Sequence, residues 1–404
     1  MIRRQYSIIP PMLKCSPVIR SLILLAFLAL ALPVAGLQVA GLYSHRVAVE
    51  NESDAERNRA FRVAMEAVIL KVTGDPRWLD HPRVRQAVEN AQNYVEAISY
   101  SSEMLPVAAA EEDQQTGPQP ETPTESELAD SPADEQPATV PAPQFVEQRY
   151  IDLDFADGLI NEMLAAADIP VWDDNRPSVL VWMAIQDASG SRHMLTADSD
   201  PEMMAFMQDF AERRGVPVIF PLLDFEDRRN LSEDQVWALE EQAIANASAR
   251  YGADSVLAGR VLFTASGELV GLWQFQFQDQ LDVFDGFATS PEDYLLAPLD
   301  RITSELAGYF AISPDASPRF DVRLRIDGVA DLGDYSALMD YVANLGLVES
   351  VRTTGLAGER IELLLGVLGS AQQLNELIAL DRDLLPIQST GNEAPALLHY
   401  RWTR

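Results

Sequence analysis

Two short acidic segments contain the residues of this sequence that could do acid–base or metal chemistry. Each has three carboxylates and follows a predicted strand: Asp198, Asp200 and Glu202 in the first, Asp224, Glu226 and Asp227 in the second. If one sheet edge brings both segments together, they could hold a divalent cation or activate water for hydrolysis. Alternatively, Asp200 caps the helix that begins at Pro201 and the other carboxylates are solvated. The lack of a neighbouring histidine or a paired geometry favours this alternative.

The run 152–158 (DLDFADG) is the nearest approach to a calcium loop. An EF-hand needs oxygen ligands at alternating positions, glycine at the sixth and glutamate at the twelfth. Here Ala156 is fifth, Asp157 is sixth and Met163 is twelfth. The pattern therefore predicts a strand with outward aspartates, followed by a helix that Asp157 caps.

Other chemistry-bearing residues do not form a recognisable site. The four histidines show no zinc-binding spacing: His45, His81, His193 and His399. His193 is predicted to be exposed on the second strand of a hairpin that turns at 189–190. The sequence has no G-x-S-x-G and no phosphate-binding G-x-x-x-x-G-K. We therefore assign no catalytic, cofactor-binding or metal-binding residue, and we expect no cofactor.

Two tryptophans could suggest carbohydrate binding: Trp172, in the run 172–175 (WDDN), and Trp237. Single tryptophans more often fill cores or cover the seams between domains, and we favour that interpretation.

Residues 42–170 predict a first α/β domain. It has a strand at 42–49, a helix capped by Asn51 or Ser53 that ends at Gly74, a helix starting at Pro82, strands at 94–100 and 145–155, and a helix at 157–167. Residues 103–144 are rich in Pro, Glu, Asp, Ser and Thr and contain no Lys or Arg, so this insert should be disordered. The neatest interpretation is a hairpin whose loop is enlarged by the acidic insert, because loop-closure entropy grows slowly with length.

Residues 171–315 predict a middle domain with a mixed sheet. The pattern gives strands at 178–187, 253–264, 268–278 and 280–288, a strand and loop at 217–227, and helices at 201–215, 231–252 and 291–312. Residues 316–404 then read βαββαβ, which is the ferredoxin-like order with four strands and two helices on one face. The predicted class is thus α/β (α+β): mixed-sheet sandwiches followed by a ferredoxin-like domain. This fold class does not identify a function.

Residues 1–41 predict a secretory signal. Basic residues precede an uncharged apolar run at 22–37, and small residues allow cleavage after Gly36 or Gly41. Cys15 precedes the apolar run, which argues against a lipoprotein anchor, and cleavage would leave no cysteine. We expect a periplasmic protein with no stable membrane insertion; the alternative is an uncleaved inner-membrane anchor facing the periplasm.

The formal charge of −32 argues against nucleic-acid binding, which depends on lysine and arginine patches. Solubility explains this charge more simply than docking to a basic partner does. The sequence leaves the oligomeric state open.

Three segments resemble a family of exported proteobacterial proteins catalogued as a domain of unknown function, DUF2066. They occur in order at 60–74 (AFRVAMEAVILKVTG), 213–227 (RRGVPVIFPLLDFED) and 251–261 (YGADSVLAGRV). The resemblance spans most of 42–310 and implies an envelope location, with no known activity and no catalytic residue to carry over.

Residues 178–264 are also similar to envelope assembly modules. These include the amino-terminal domain of the Tol system's propeller protein, the curli secretion lipoprotein and the lipoprotein activators of penicillin-binding proteins. The likeness implies a tight helix-to-strand turn at 252–254 and a close packing point at Gly259. Since such modules bind partners, we predict a non-enzymatic periplasmic protein that binds an envelope protein or assists assembly. The alternative is a periplasmic hydrolase that uses the acidic loops with a divalent cation.

Overall fold

The computed structural model describes residues 39–106, 145–312, 319–381, 383–387 and 397–403. Within them the chain is α+β, as predicted, and its helices pack against three β-sheets. The apolar run of the predicted signal and most of the acidic insert lie outside the described residues.

The first sheet is antiparallel, in the order β1-β3-β2. Its elements are β1 (Ser44–Val49), α1 (Asp54–Thr73), α2 (Pro82–Glu89), β2 (Val95–Pro106), β3 (Phe145–Phe155) and α3 (Asp157–Ala166). Ser53 caps α1 by accepting from the amide of Glu56, and Gly74 ends it in the left-handed region at φ 67°. The apolar stripe of α1 packs on the sheet and forms a buried core with Ile151 and Leu153.

Strands β2 and β3 form the predicted hairpin, but β2 is longer than predicted. Pro106 pairs with Phe145 at its far end, so residues 103–106 belong to the strand and not to the insert. Composition misplaced the boundary because pairing with β3 orders these residues despite their exposed, mixed side chains.

The second sheet is mixed, in the order β5-β4-β7-β8-β9, and β6 also pairs with β4. Its strands are β4 (Val179–Gln186), β5 (Arg192–Met194), β6 (Val218–Ile219), β7 (Ser255–Phe263), β8 (Leu269–Phe277) and β9 (Gln280–Ala288). Its helices are α4 (Pro201–Arg214), α5 (Phe225–Asn230), α6 (Glu233–Trp237), α7 (Glu241–Ser248) and α8 (Pro291–Phe310). Strands β4 and β7 are parallel, which requires the crossover through α4 to α7.

The prediction of one helix over 231–252 is wrong. Ser232 and Gln235 form a capping box at the start of α6, but Leu239 adopts φ 53° and ends that helix. The break lets Val236 and Ile244, on successive short helices, both reach the same core. Helix α5 was not predicted; Asp224 caps it by accepting from the amide of Asp227.

The third sheet has five strands where the ferredoxin-like prediction has four. Its elements are β10 (Arg319–Asp327), α9 (Leu332–Ala343), β11 (Val348–Ala357), β12 (Arg360–Leu368), α10 (Ala371–Asp381), β13 (Leu384–Pro386) and β14 (Leu397–Trp402), in the order β11-β12-β10-β14-β13. After α10, the chain enters the edge strand β13 and then reverses direction into β14. The final strand β14 therefore runs parallel to β10, where the simple fold has an antiparallel pair.

One continuous core includes residues of both the second and third sheets, from Trp172 to Trp402, while the first sheet has its own core. The boundaries 42–170, 171–315 and 316–404 stay predictions.

Candidate functional site

Half of one face of the second sheet carries exposed apolar side chains. On this face, α6 contacts β4 and β7 and α7 contacts β7, where their buried residues form a small core. On β8 and β9, beyond these helices, five exposed side chains share the face: Val270, Leu281, Val283, Asp285 and Phe287. We call these five residues the open face. Phe287 is 67% exposed and Val283 is 52% exposed.

The two-residue period of a strand explains the open face. Trp273 and Phe275 of β8 point to the opposite side, where they pack into the core that contains residues of α8. The register pairs Val270 with Phe287, so two large apolar side chains lie side by side on the open face.

The outer edge of β9 is also unpaired. Strand β9 pairs with β8 alone, and among the described residues no side chain donates a hydrogen bond to its backbone carbonyls. On β1, by contrast, Arg59 donates to the carbonyl oxygen of Ala48 and Lys71 donates to that of Ser44, at 2.8 and 3.0 Å. Unpaired strand edges can take up an additional strand, and side chains that occupy the edge prevent this.

Asp285 gives the open face a negative charge. Its carboxylate has no ion-pair or hydrogen-bond partner among the described residues, although Asp282 on the other side of β9 pairs with Arg301. At the border of the covered half, Arg260 donates to the carbonyl oxygen of Trp237 at 2.8 Å. The arrangement suits an extended segment that presents apolar side chains and one basic group.

The second acidic segment forms ion pairs and not an open carboxylate cluster. Arg250 lies 2.9 Å from carboxylate oxygens of both Asp224 and Asp227, and Tyr251 donates to Asp227, which is buried. Hydrogen bonding to Arg250 lowers the pKa of Asp224 to about 2. Burial and the bond to Asp227 raise the pKa of Tyr251 to about 12. Asp224 and Asp227 are therefore engaged in structural contacts, and Glu226 is exposed beside them.

Residues that neighbour the two acidic segments line one cavity of about 590 Å³, among them His193, Thr196, Ser199, Arg228 and Ser232. The carboxylates of the two segments do not line it. Asp200 precedes α4 but makes no capping bond; its Oδ2 lies 2.9 Å from Nε2 of His193. Asp198 and Glu202 are exposed.

The calcium-like run is a strand followed by a helix, as predicted. Asp152 of β3 accepts from Arg46 at 2.6 Å and from Ser101 at 2.8 Å. Ala156 occupies the cap position of α3, so the prediction that Asp157 caps this helix is wrong; its carboxylate accepts from the next amide. In the described part of the chain, no three or more His, Cys, Asp or Glu side chains are grouped to hold a metal ion.

The histidines lie far apart. His399 contacts Asp327 at 3.0 Å, His81 precedes α2, and His45 lines a groove of about 950 Å³ between the first and second sheets. Burial, together with Lys71 and Arg213, lowers the pKa of His45 to about 4. Burial also lowers the pKa of Lys71, which binds backbone carbonyls of β1 and the preceding turn.

Residues 172–176 lie at the seam between the sheets. Trp172 is buried and its amide donates to the carbonyl of Val72 at 2.7 Å. Asn175 donates to the carbonyl of Leu377 near the third sheet. Arg176 donates to carbonyls at the ends of both α1 and α4. This five-residue segment therefore contacts elements of all three sheets.

No helix among the described residues has the length and apolar character needed to cross a bilayer. The sequence signal that could have revealed the open face was the run of apolar residues on both faces of 280–288. By itself that run predicts a strand but not which of its faces stays uncovered.

A family model described as a domain of unknown function, DUF8605, matches residues 37–173, less than half of the chain. It is a different family from DUF2066. Among solved structures, the C-terminal domain of LpoB from Salmonella enterica matches with 16% identity and a TM-score of 0.21, over 33% of this chain and 94% of that chain. An uncharacterised protein matches with 12% identity and a TM-score of 0.15, over 35% of this chain and 93% of that one. Likenesses at these values carry no functional argument. No curated protein matches the chain.

Proposed function

We propose that this chain is a non-enzymatic, periplasmic envelope protein that binds a partner protein through the open face and the β9 edge. The single observation that carries the proposal is the exposed apolar half-sheet beside an unpaired edge strand. Contiguous exposed apolar surface with a polar rim is typical of a protein-interaction site.

The proposed partner segment is an extended strand with alternating apolar residues and at least one Lys or Arg. Strand addition gains affinity from main-chain hydrogen bonds to β9 and specificity from alternate side chains. The apolar side chains of the partner segment would lie beside Val283 and Phe287, and its basic group would pair with Asp285. Asp285 supplies the local negative charge of this surface, and complementary charge speeds association.

The location forms a separate part of the proposal. It rests on the predicted signal at 1–41 and on the likeness of three segments to DUF2066, for which the matching family model gives no support. Fractionation of cells that carry a C-terminally tagged chain tests it. A soluble periplasmic pool supports the cleaved form, recovery with the inner membrane supports the anchored form, and a cytoplasmic pool contradicts both.

Site-specific photo-crosslinking tests the docking surface. A photoreactive residue at Val283 should capture a discrete envelope protein, and Phe287→Glu in the same chain should abolish the capture. The matched control is Leu332→Glu, which also places a carboxylate on an exposed apolar position, at the start of α9. Capture that survives Phe287→Glu, or that Leu332→Glu reduces equally, would overturn the proposal.

Chelation addresses the hydrolase alternative. A metal bound to the folded state raises its stability by mass action. We expect EDTA to leave the melting temperature of the full chain unchanged, because Arg250 and His193 already contact carboxylates of the acidic segments. A clear loss of stability that Mg²⁺ or Ca²⁺ restores would favour the hydrolase.

A further inference from the structure

Strand β2 forms a second long, unpaired edge, on the first sheet. It has twelve residues and pairs only with β3, and most of its side chains are exposed. Among the described residues no side chain donates to its backbone carbonyls. The opposite edge of this same sheet, β1, is occupied by Arg59 and Lys71. One edge is protected against strand pairing and the other is not.

The β2 edge has few of the features that prevent pairing. Natural proteins protect such edges with lysines, prolines, bulges or very short strands. Strand β2 has no lysine, its proline is at the far end, and its one register irregularity lies at the start, between Val95 and Ala97. Ile98 and Tyr100 are 45% and 44% exposed and point to the same face.

We propose that two copies of this chain pair through their β2 strands, antiparallel and centred on Ser99, so that two three-stranded sheets join into one of six strands. The two-fold axis places Ile98 of each copy opposite Tyr100 of the other. Pairs of an aromatic and a β-branched residue are favourable across strands. Residues 95–103 of both copies overlap, about 30 Å of strand.

Charge and side-chain pairing together favour this register. Glu96 then faces Ser102 and Glu103 faces Val95, so no carboxylates are opposed. A shift to a centre between Ser99 and Tyr100 would set Glu96 against Glu103, and like charges directly opposite are destabilising. A centre on Tyr100 would set Ile98 against a serine.

The position of the acidic insert favours the antiparallel arrangement. Residues 107–144 contain nine Asp and Glu and no Lys or Arg, and they leave and rejoin the hairpin at one end, where Pro106 pairs with Phe145. In an antiparallel pair, the two inserts leave from opposite ends of the joined sheet. A parallel pair would bring the two acidic segments together. A second copy in this register therefore meets the edge with no opposed carboxylates and with the two acidic inserts at opposite ends.

Light scattering after size-exclusion chromatography gives the first test. The native protein at tens of micromolar should have twice the mass of one chain, and Ile98→Glu should have the mass of a single chain. Val283→Glu, on the β9 edge, should leave the dimer intact, which separates this inference from the proposed partner site. A monomeric native protein would overturn the inference. So would an Ile98→Glu variant whose dimer dissociation constant rises by less than about tenfold.

Single cysteines test the register. In a Cys15→Ser background the chain has no other cysteine. Ser99→Cys should form a disulfide-linked dimer under mild oxidation, because the register places these two residues directly opposite each other. Ser102→Cys is equally an exposed serine on β2, and it should crosslink only when mixed with Glu96→Cys. Self-crosslinking at Ser102 without crosslinking at Ser99 would overturn the proposed pairing.

Discussion

Replacing Arg176 with methionine should strongly destabilise the protein, because this guanidinium ties two helix ends together. It is buried and donates to five backbone carbonyls: those of Lys71, Trp172, Asp173, Arg214 and Gly215, at 2.7 to 3.1 Å. Three of these are at or just beyond the final turns of α1 and α4, whose last carbonyls have no partner within the helix. The negative ends of two helix dipoles thus face one buried cation.

The magnitude follows from what the substitution leaves behind. Methionine keeps most of the apolar stem but removes the guanidinium, whose carbon lies 4.3 Å from the centroid of the Trp172 ring. It leaves five carbonyls without this donor, four of them in buried hydrogen bonds, and a stranded buried acceptor costs about 1–3 kcal/mol. Some carbonyls will find water, so we expect the free energy of unfolding to fall by about 3–5 kcal/mol, comparable to breaking a buried ion pair. Burial lowers the pKa of Arg176 to about 9, so the side chain stays charged at neutral pH.

Urea unfolding, followed in parallel by tryptophan fluorescence and circular dichroism, measures this change. Arg213→Met is the matched control, since Arg213 is half-exposed and makes one i,i+4 ion pair with Asp209. It should cost less than about 0.5 kcal/mol. Arg176→Lys keeps the charge with fewer donors and should fall between the two. A loss below about 1 kcal/mol for Arg176→Met would refute the assignment of these carbonyls to this donor.

Three further predictions test the groove, the second sheet and the insert. Because the pKa of His45 is about 4 in the folded state and about 6.5 when unfolded, the unfolded chain alone takes up a proton between these values. Stability should therefore fall by about 1–2 kcal/mol from pH 6.5 to pH 4, and urea titrations of His45→Gln should show less of this loss. Gly259→Ala should lower the free energy of unfolding by about 2 kcal/mol, since a Cβ at this position overlaps the Trp273 ring. Gly158→Ala is the control and should not lower it, because a Cβ there meets open space. Equal effects of the two substitutions would contradict this packing. Replacing 107–144 with Asn-Gly should leave the melting temperature unchanged, because loop closure depends weakly on length; a large drop would show that the insert stabilises the fold.

The elements with local signals could be predicted from the sequence. Helix α1 has a serine at its start, apolar residues at helical spacing and a glycine whose positive φ ends it, and all three act within one turn of where they occur. The turn at 252–254 has the same character, since Gly252 adopts φ 59° and Asp254 accepts from the amide of Ser178. Gly259 does pack closely against Trp273, as the likeness to envelope modules implied.

The errors arose where distant contacts decide the structure. Leu239 breaks the helix over 231–252 because packing of both halves on one sheet outweighs the local helical pattern. Strand β13 has three residues and a proline, so its own sequence carries almost no strand signal, yet pairing with β14 forms it and reverses the direction of the last strand. The local sequence around Arg176 does not predict its contacts with the ends of α1 and α4, which lie more than a hundred residues apart in the chain.

The same limit explains why the density of carboxylates does not locate the candidate site. In a chain of charge −32, the densest carboxylate segments suggested metal or acid–base chemistry. In the fold, the second of these segments supplies the partners of Arg250, and the first supplies Asp200 to His193. Asp285 stood out in no motif, yet it has no partner in the described chain and lies among exposed apolar side chains on an unpaired strand. A carboxylate already paired within the fold has little left to offer a ligand, whereas an unpaired one beside apolar surface favours a basic, apolar partner. The proposed function therefore rests on Asp285 and its neighbours, and not on the acidic clusters.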